Sequence, residues 1–394
     1  MLGALKADRD RILEIRDRIS ELEQTIAALR DEQEAAQQRL DSYKYPVLTL
    51  PNEITSEIFI HFLGLPASEP PEIHSPHSPI RLTHICRKWR AVAIATPPLW
   101  KGLRVLVHPS RRELKGLPTL ADMWLQRSGC CPLSIEFIGS IGKCGDELLS
   151  TFLSYSKRLQ NLKLGLLPPR ILPQIDSPMV LLRSLEFDFV GDSQVNELAS
   201  WDMPELRTVA LRGAESLEMV LPWEQLTSLS FHRIDPQICL PVLRKTPSLL
   251  FCTLDFNFGG YAYRPYTGSG IINLPALTSL VIQTHRREFF STRILTDLVV
   301  PALQQLEVPE SSLGEKPIDL LTSFISKSGC TPRKLFITDR KILVDGSNVT
   351  DQHYRSAFPS VVDFSSTIAP AHWDDSDAED LDIEEFEGFG SESE

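Results

Sequence analysis

Side chains able to do chemistry are scattered along this chain and form no constellation. Among nine histidines, His74-x-x-His77 has the spacing closest to a metal half-site. It sits in a Pro-rich stretch without carboxylate or Cys partners, so it is read as solvated loop and no metal is expected. None of the seven cysteines forms a pair at zinc half-site separation, and Cys130 and Cys131 are adjacent. Cys131 and Cys144 would react if exposed and are read as buried structural thiols. Phe258-Gly-Gly and Gly268-Ser-Gly270 lack the strand–turn–helix setting that cradles phosphate. No Gly-x-Ser-x-Gly elbow, no Lys-Ser/Thr after a glycine loop and no His-Glu-x-x-His is present. Neither an enzyme nor a cofactor is expected. What remains is the chemistry of binding. Tyr261, Tyr263, Arg264 and Tyr266 crowd the excursion Asn257–Asn273, and Tyr and Arg are enriched at interface hot spots. Glu186, Asp188, Arg207, Ser230 and Asp255 are further candidates, as exposed positions on strands.

The charge narrows the partners. The net charge is −12, and Asp374–Glu394 holds eleven carboxylates with no Lys or Arg, which leaves the remainder near −1 (−12 plus 11). Phosphate-backbone binding needs clustered Lys and Arg, so no nucleic acid is expected. No apolar run approaches the ~18 residues of a membrane span, and the first twenty residues are already charged and helical in pattern. A soluble protein of the cytoplasm and/or nucleus is expected, with Asn348-Val-Thr350 an incidental sequon. From Ile368 onward, acidic and Ser residues predict a disordered tail.

Four segments must position these residues. Residues 1–45 carry a heptad, with Ile12, Ile19 and Ile26 at a and Ile15, Leu22 and Leu29 at d. No Pro interrupts it before Pro46. β-branched a positions with mostly Leu at d predict a parallel two-stranded coiled coil, hence a homodimer. Residues 46–107 hold two amphipathic helices. The first is expected to start from Thr49 as N-cap with Pro51 in its first turn, and carries Leu50, Ile54, Ile58 and Phe59. The second opens at Ser78-Pro79, carries Leu82, Ile85, Trp89 and Val92, and closes at Pro97-Pro98.

Residues 108–345 repeat themselves. Blocks of Leu-x-x-Leu-x-apolar type begin at Leu159, Leu182, Leu206, Leu226, Phe251, Leu277 and Leu303, 20–26 residues apart. That is the period of a leucine-rich-repeat solenoid, each block a short parallel strand and stretches such as Ser193–Trp201 and Pro236–Lys245 the returns. A helix–Gly–Pro–strand unit occurs twice, around Gly129 and Gly329. The Asn or Cys that usually follows a repeat strand is mostly missing. Residues 346–394 form a C-terminal segment with the acidic tail. The expected fold is α/β: coiled-coil helix, small helical module, α/β solenoid, disordered end.

Leu50-Pro51-Asn52-Glu53-Ile54…Ile58-Phe59, followed by Leu82…Cys86-Arg-Lys-Trp89-Arg-Ala-Val92…Pro98-Leu99-Trp100, resembles the F-box. The second half is similar to the F-box-like proteins of mushroom-type fungi with degenerate leucine-rich repeats. One departure is the long Pro66–Pro79 stretch between the helices. The resemblance implies a substrate-recognition subunit of a Skp–cullin–F-box ubiquitin ligase, whose partners are a Skp-family adaptor, a cullin and a protein substrate. Leu50, Pro51, Ile54, Ile58, Phe59, Leu82, Cys86 and Trp89 would then contact the adaptor or close the module's core, two roles the residue pattern does not separate. Such a subunit needs no active site, because ubiquitin is carried by another protein. The alternative is a scaffold whose F-box survives only as a packing element.

Overall fold

The computed structural model describes residues 2–42, 46–62, 70–107, 116–139, 143–167, 178–189, 202–213, 221–256, 270–284, 293–340 and 349–368. Tyr261, Tyr263, Arg264 and Tyr266, the expected helix Ser193–Trp201 and the acidic tail lie outside them. The chain divides into two compact units, Met1–Leu63 with Leu82–Ala95, and Gly64–Arg81 with Thr96–Glu394.

The first unit starts with α1 (Leu2–Ser42), built from good helix formers with no internal Pro. Arg11–Glu14 and Arg18–Glu21 pair along it at 2.7 and 3.1 Å. A 3₁₀ turn at Pro46–Thr49 leads into α2 (Asn52–Phe62). The single second helix expected from the sequence is two, α3 (Pro79–Thr83), whose first three residues belong to the second unit, and α4 (Arg87–Ile94). They break because Cys86 turns extended and caps α4, its Sγ accepting from the Trp89 amide at 3.4 Å.

The second unit is mixed α/β around an eleven-stranded parallel sheet. In chain order its elements are β1 (Gly102–Val107), α5 (Leu117–Arg127), β2 (Leu133–Gly139), α6 (Lys143–Ser154), β3 (Leu159–Leu167), β4 (Ser184–Phe189), β5 (Thr208–Arg212) and β6 (Ser228–His232). There follow α7 (Pro236–Leu243), β7 (Phe251–Phe256), β8 (Ile272–Asn273), β9 (Ser279–Thr284), α8 (Arg293–Asp297), β10 (Leu298–Val299) and β11 (Gln305–Pro309). The chain continues through α9 (Pro317–Ser328), β12 (Lys334–Arg340), α10 (Asp351–Ala357) and β13 (Asp363–Ile368). The two-residue strands β8 and β10 pair with each other, and every other strand lies beside the preceding one. A doubly wound sheet reverses its order at a switch point. This one does not reverse.

The recurring block explains the stacking. Leu182, Leu206, Leu226, Leu249, Leu277 and Leu303 each donate an amide to the carbonyl three residues back, making a turn before the strand. In the next turn the carbonyl of Arg183, Arg207, Thr227, Leu250, Thr278, Gln304 or Arg333 accepts two successive amides from the following coil. Alternate strand residues such as Leu185, Val209 and Leu229 then point into the core and are fully buried. The other face is polar and half-exposed, unlike the double-sided burial of doubly wound parallel sheets. One block starts elsewhere than its spacing predicts: Phe251 is 54% exposed, whereas Leu249, Cys252 and Leu254 are buried. Cys252 stands opposite Leu229 and Leu254 opposite Phe231, so the block begins at Leu249.

Both helix–Gly–strand units form as expected, α5–β2 and α9–β12, with Gly129 and Gly329 at φ 57° and 64°. The sheet extends one strand beyond 108–345 at each end, through β1 and β13. Leu99 and Trp100 belong to this unit and not to the helical one. Trp100 and Trp124 meet edge-on at 5.0 Å, Trp124 Nε1 donates to the Gly102 carbonyl at 3.0 Å, and the Arg127 guanidinium lies 4.7 Å over Trp100.

Candidate functional site

In the helical unit the Pro51 carbonyl accepts the Thr55 amide, the first bond of α2, at 3.0 Å. Pro51 therefore stands just before the helix and not within its first turn, correcting the expected start. The buried Thr55 hydroxyl donates to the same carbonyl at 3.0 Å. Phe59, 1% exposed, meets Trp89 of α4 edge-on with centroids 4.9 Å apart. The Lys88 ammonium donates to the carbonyls of Leu48 and Leu50 at 2.7 and 2.6 Å. Arg90 Nε donates to the Thr83 carbonyl at 2.7 Å within the same unit.

These contacts sort the eight residues singled out by the sequence. Phe59 and Leu82 are buried, and Leu50, Cys86 and Trp89 are half-buried. Pro51, Ile54 and Ile58 remain exposed, Ile54 at 49% and Ile58 at 45%. The two isoleucines are four apart and share one helix face. Outside α1, Val47, Ile85 and Ile94 of this unit are also exposed. Lys88 and Thr55 were missed; the only signal for Lys88 was its place inside Cys86-Arg-Lys-Trp89.

The polar face of the sheet holds the second candidate surface. Register sets Arg104, Glu136, Lys163 and Glu186 side by side across β1–β4. Glu136, almost fully buried, lies 3.3 Å from both Arg104 and Lys163, and Lys163 lies 3.2 Å from Glu186. Burial lowers the Lys163 pKa, but attraction and hydrogen bonds from Glu186 and Glu136 outweigh it and raise it overall. One row along, Asp188 faces Arg212 at 3.8 Å and His232 faces Asp255 at 3.8 Å. Burial lifts the Asp188 carboxyl above its usual range, against the opposing pull of Arg212. Beyond Glu186 the first row continues with the small side chains of Ala210, Ser230 and Thr253.

No protein-family model matches this chain, and no curated protein matches it.

Of the five strand candidates, Glu186, Asp188 and Ser230 lie on this half-exposed face. Asp255 lies on it too but is only 5% exposed. Arg207 is not on a strand. It precedes β5 and its guanidinium bonds the Pro204 and Leu206 carbonyls at 3.2 and 3.0 Å, closing its own turn. Among the described residues no group of three His, Cys, Asp or Glu is placed to hold a metal, and no helix is long and apolar enough to cross a membrane. Cys131 is half-buried and not fully buried, while Cys239 and Cys252 are buried, which pushes the Cys252 thiol up to about 12.

Proposed function

We propose that the helical unit is an F-box that binds a Skp-family adaptor, and that the chain is a substrate receptor of a Skp–cullin–F-box ubiquitin ligase. One observation carries the reading. The Phe59–Trp89 contact and the Lys88 clamp fix α2 from one side while Pro51, Ile54 and Ile58 stay exposed. A helix used only for packing would bury that stripe, whereas a docking helix presents it. The eleven-stranded unit is then a leucine-rich-repeat-like solenoid. Its strictly sequential order, repeated turn bonds and one polar face support that reading. Its polar face is the substrate surface, with the charged rows of β1–β7 selecting a partner carrying both signs of charge. The chain's contribution to ubiquitin transfer is proximity, so it needs no catalytic residue.

The test is affinity purification of the full chain from cells containing the adaptor and cullin. Recovery of both together is expected. Adaptor without cullin would turn the reading to a scaffold outside the ligase, and recovery of neither would overturn it.

A further inference from the structure

The heptad residues of α1 have no cover within the described chain: Ile12, Ile15, Ile19, Leu22, Ile26 and Leu29 are 46–59% exposed. Helices owe most of their stability to packing of an apolar face, so a helix of 41 residues with an open seam calls for a second helix. We propose that the occupant is a second copy of α1 and that the two run antiparallel.

The a and d positions alone favour a parallel pair. The remaining positions decide the orientation differently. In a parallel, in-register pair each residue at a or d faces itself, so Asp8 at d meets the partner copy's Asp8, and Gln33 at a meets Gln33. Two carboxylates then share a seam. In an antiparallel pair a faces d, and one alignment fits the heptads from Asp8 to Gln33. Ile12 faces Leu29, Ile15 faces Ile26 and Ile19 faces Leu22. In the same alignment Asp8 faces Gln33, a carboxylate against an amide that can donate to it.

The flanking charges agree. Parallel packing brings g to the following e, pairing Arg18 with Glu23 favourably but Arg11 with Arg16 unfavourably. Antiparallel packing pairs g with g and e with e. Arg11 then meets Glu32 and Arg16 meets Glu23, against one unfavourable pair, Arg9 with Arg30, nearer the helix end. Flanking charges of this kind set orientation. The pair is isologous and closes as a dimer. It places the two ends of α1 that lead into α2 at opposite ends of a rod about 60 Å long, at 1.5 Å per residue.

The test uses the full chain in sedimentation equilibrium, with charge variants and then cysteine variants. The unmodified chain is expected to be a dimer. Arg16→Glu sets a carboxylate against Glu23 twice per dimer and should weaken association roughly tenfold. Adding Glu23→Arg should restore it. In a parallel dimer Arg16→Glu would instead tighten association, because the introduced carboxylate would meet Arg11. As a second readout, an Asp8→Cys chain mixed with a Gln33→Cys chain should form the 8–33 disulfide, identified by peptide mass spectrometry, while Asp8→Cys alone should form no 8–8 disulfide. A monomeric chain, tightening by Arg16→Glu, or an 8–8 crosslink would each overturn the proposal.

Discussion

Removing the Lys88 ammonium while keeping its stem, as in Lys88→Met, tests how the exposed stripe is held. Two bonds are lost, to the Leu48 and Leu50 carbonyls at 2.7 and 2.6 Å. Charge-assisted bonds of this kind contribute about 1.5–3 kcal/mol each when dry. Lys88 and both acceptor residues are half-buried, so water replaces part of the loss and the sum falls to about 2 kcal/mol. Methionine retains most of the apolar stem, so packing against it changes little. The consequence is local: the turn before α2 is released and Pro51 is no longer held at the helix start. Hydrogen exchange of the α2 amides in the full chain should speed up about thirtyfold, the factor that 2 kcal/mol represents. Adaptor affinity should fall about tenfold, because binding must then reorder the turn. Lys88→Arg should recover only part, since a planar fork does not reproduce two bonds from one ammonium. Unchanged exchange and unchanged affinity in Lys88→Met would refute the clamp.

Three further outcomes are expected. Gly213→Ala should destabilise the sheet unit by about 2 kcal/mol or more in urea unfolding, because Gly213 has φ 67° and an added Cβ would lie 2.6 Å from the Phe189 carbonyl oxygen. Glu136→Gln should cost about 1–2 kcal/mol in the same assay, less than a fully buried pair, because Arg104 and Lys163 are partly solvated; it should also return the Lys163 pKa towards its ordinary value. The Cys252 thiol is raised from 9.0 to about 12 in the folded chain, so its contribution to stability is complete below pH 9 and is lost as pH rises towards 12. Cys252→Ser should therefore flatten the alkaline limb of a stability–pH profile, and an unchanged limb would count against the assignment.

The strands were legible where both inward positions are strongly apolar. Leu185 with Phe187 and Leu229 with Phe231 announced β4 and β6 directly, and the turn bonds before them follow from the preceding buried residue. Cys252 broke that signal. With a weakly apolar residue at the first inward position, the exposed Phe251 fitted the pattern better than the true start, Leu249. β13 gave almost no signal, since Phe364 is its only buried residue. The break between α3 and α4 was hidden because Leu82, Ile85, Trp89 and Val92 keep helical spacing straight across it. Only the cap at Cys86 shows that Ile85 faces solvent. In the helical unit the residue types were legible but their division was not. Ile58 and Phe59 are neighbours in sequence, and burial alone separates the exposed one from the packed one. The Arg104–Glu136–Lys163–Glu186 row was invisible, because its members come from four strands and meet only once the register is set.

We propose that α2 presents the exposed Pro51, Ile54 and Ile58 to an adaptor. Calorimetric titration of a purified Skp-family adaptor into the full chain tests it most directly, comparing the unmodified chain with Ile54→Ala/Ile58→Ala. Both side chains are about half exposed, so the double variant should keep its unfolding midpoint to within about 0.5 kcal/mol per site. Its affinity should fall at least about thirtyfold, as expected for truncating anchors at the centre of an interface. No binding by the unmodified chain, or undiminished binding by the double variant, would contradict the account.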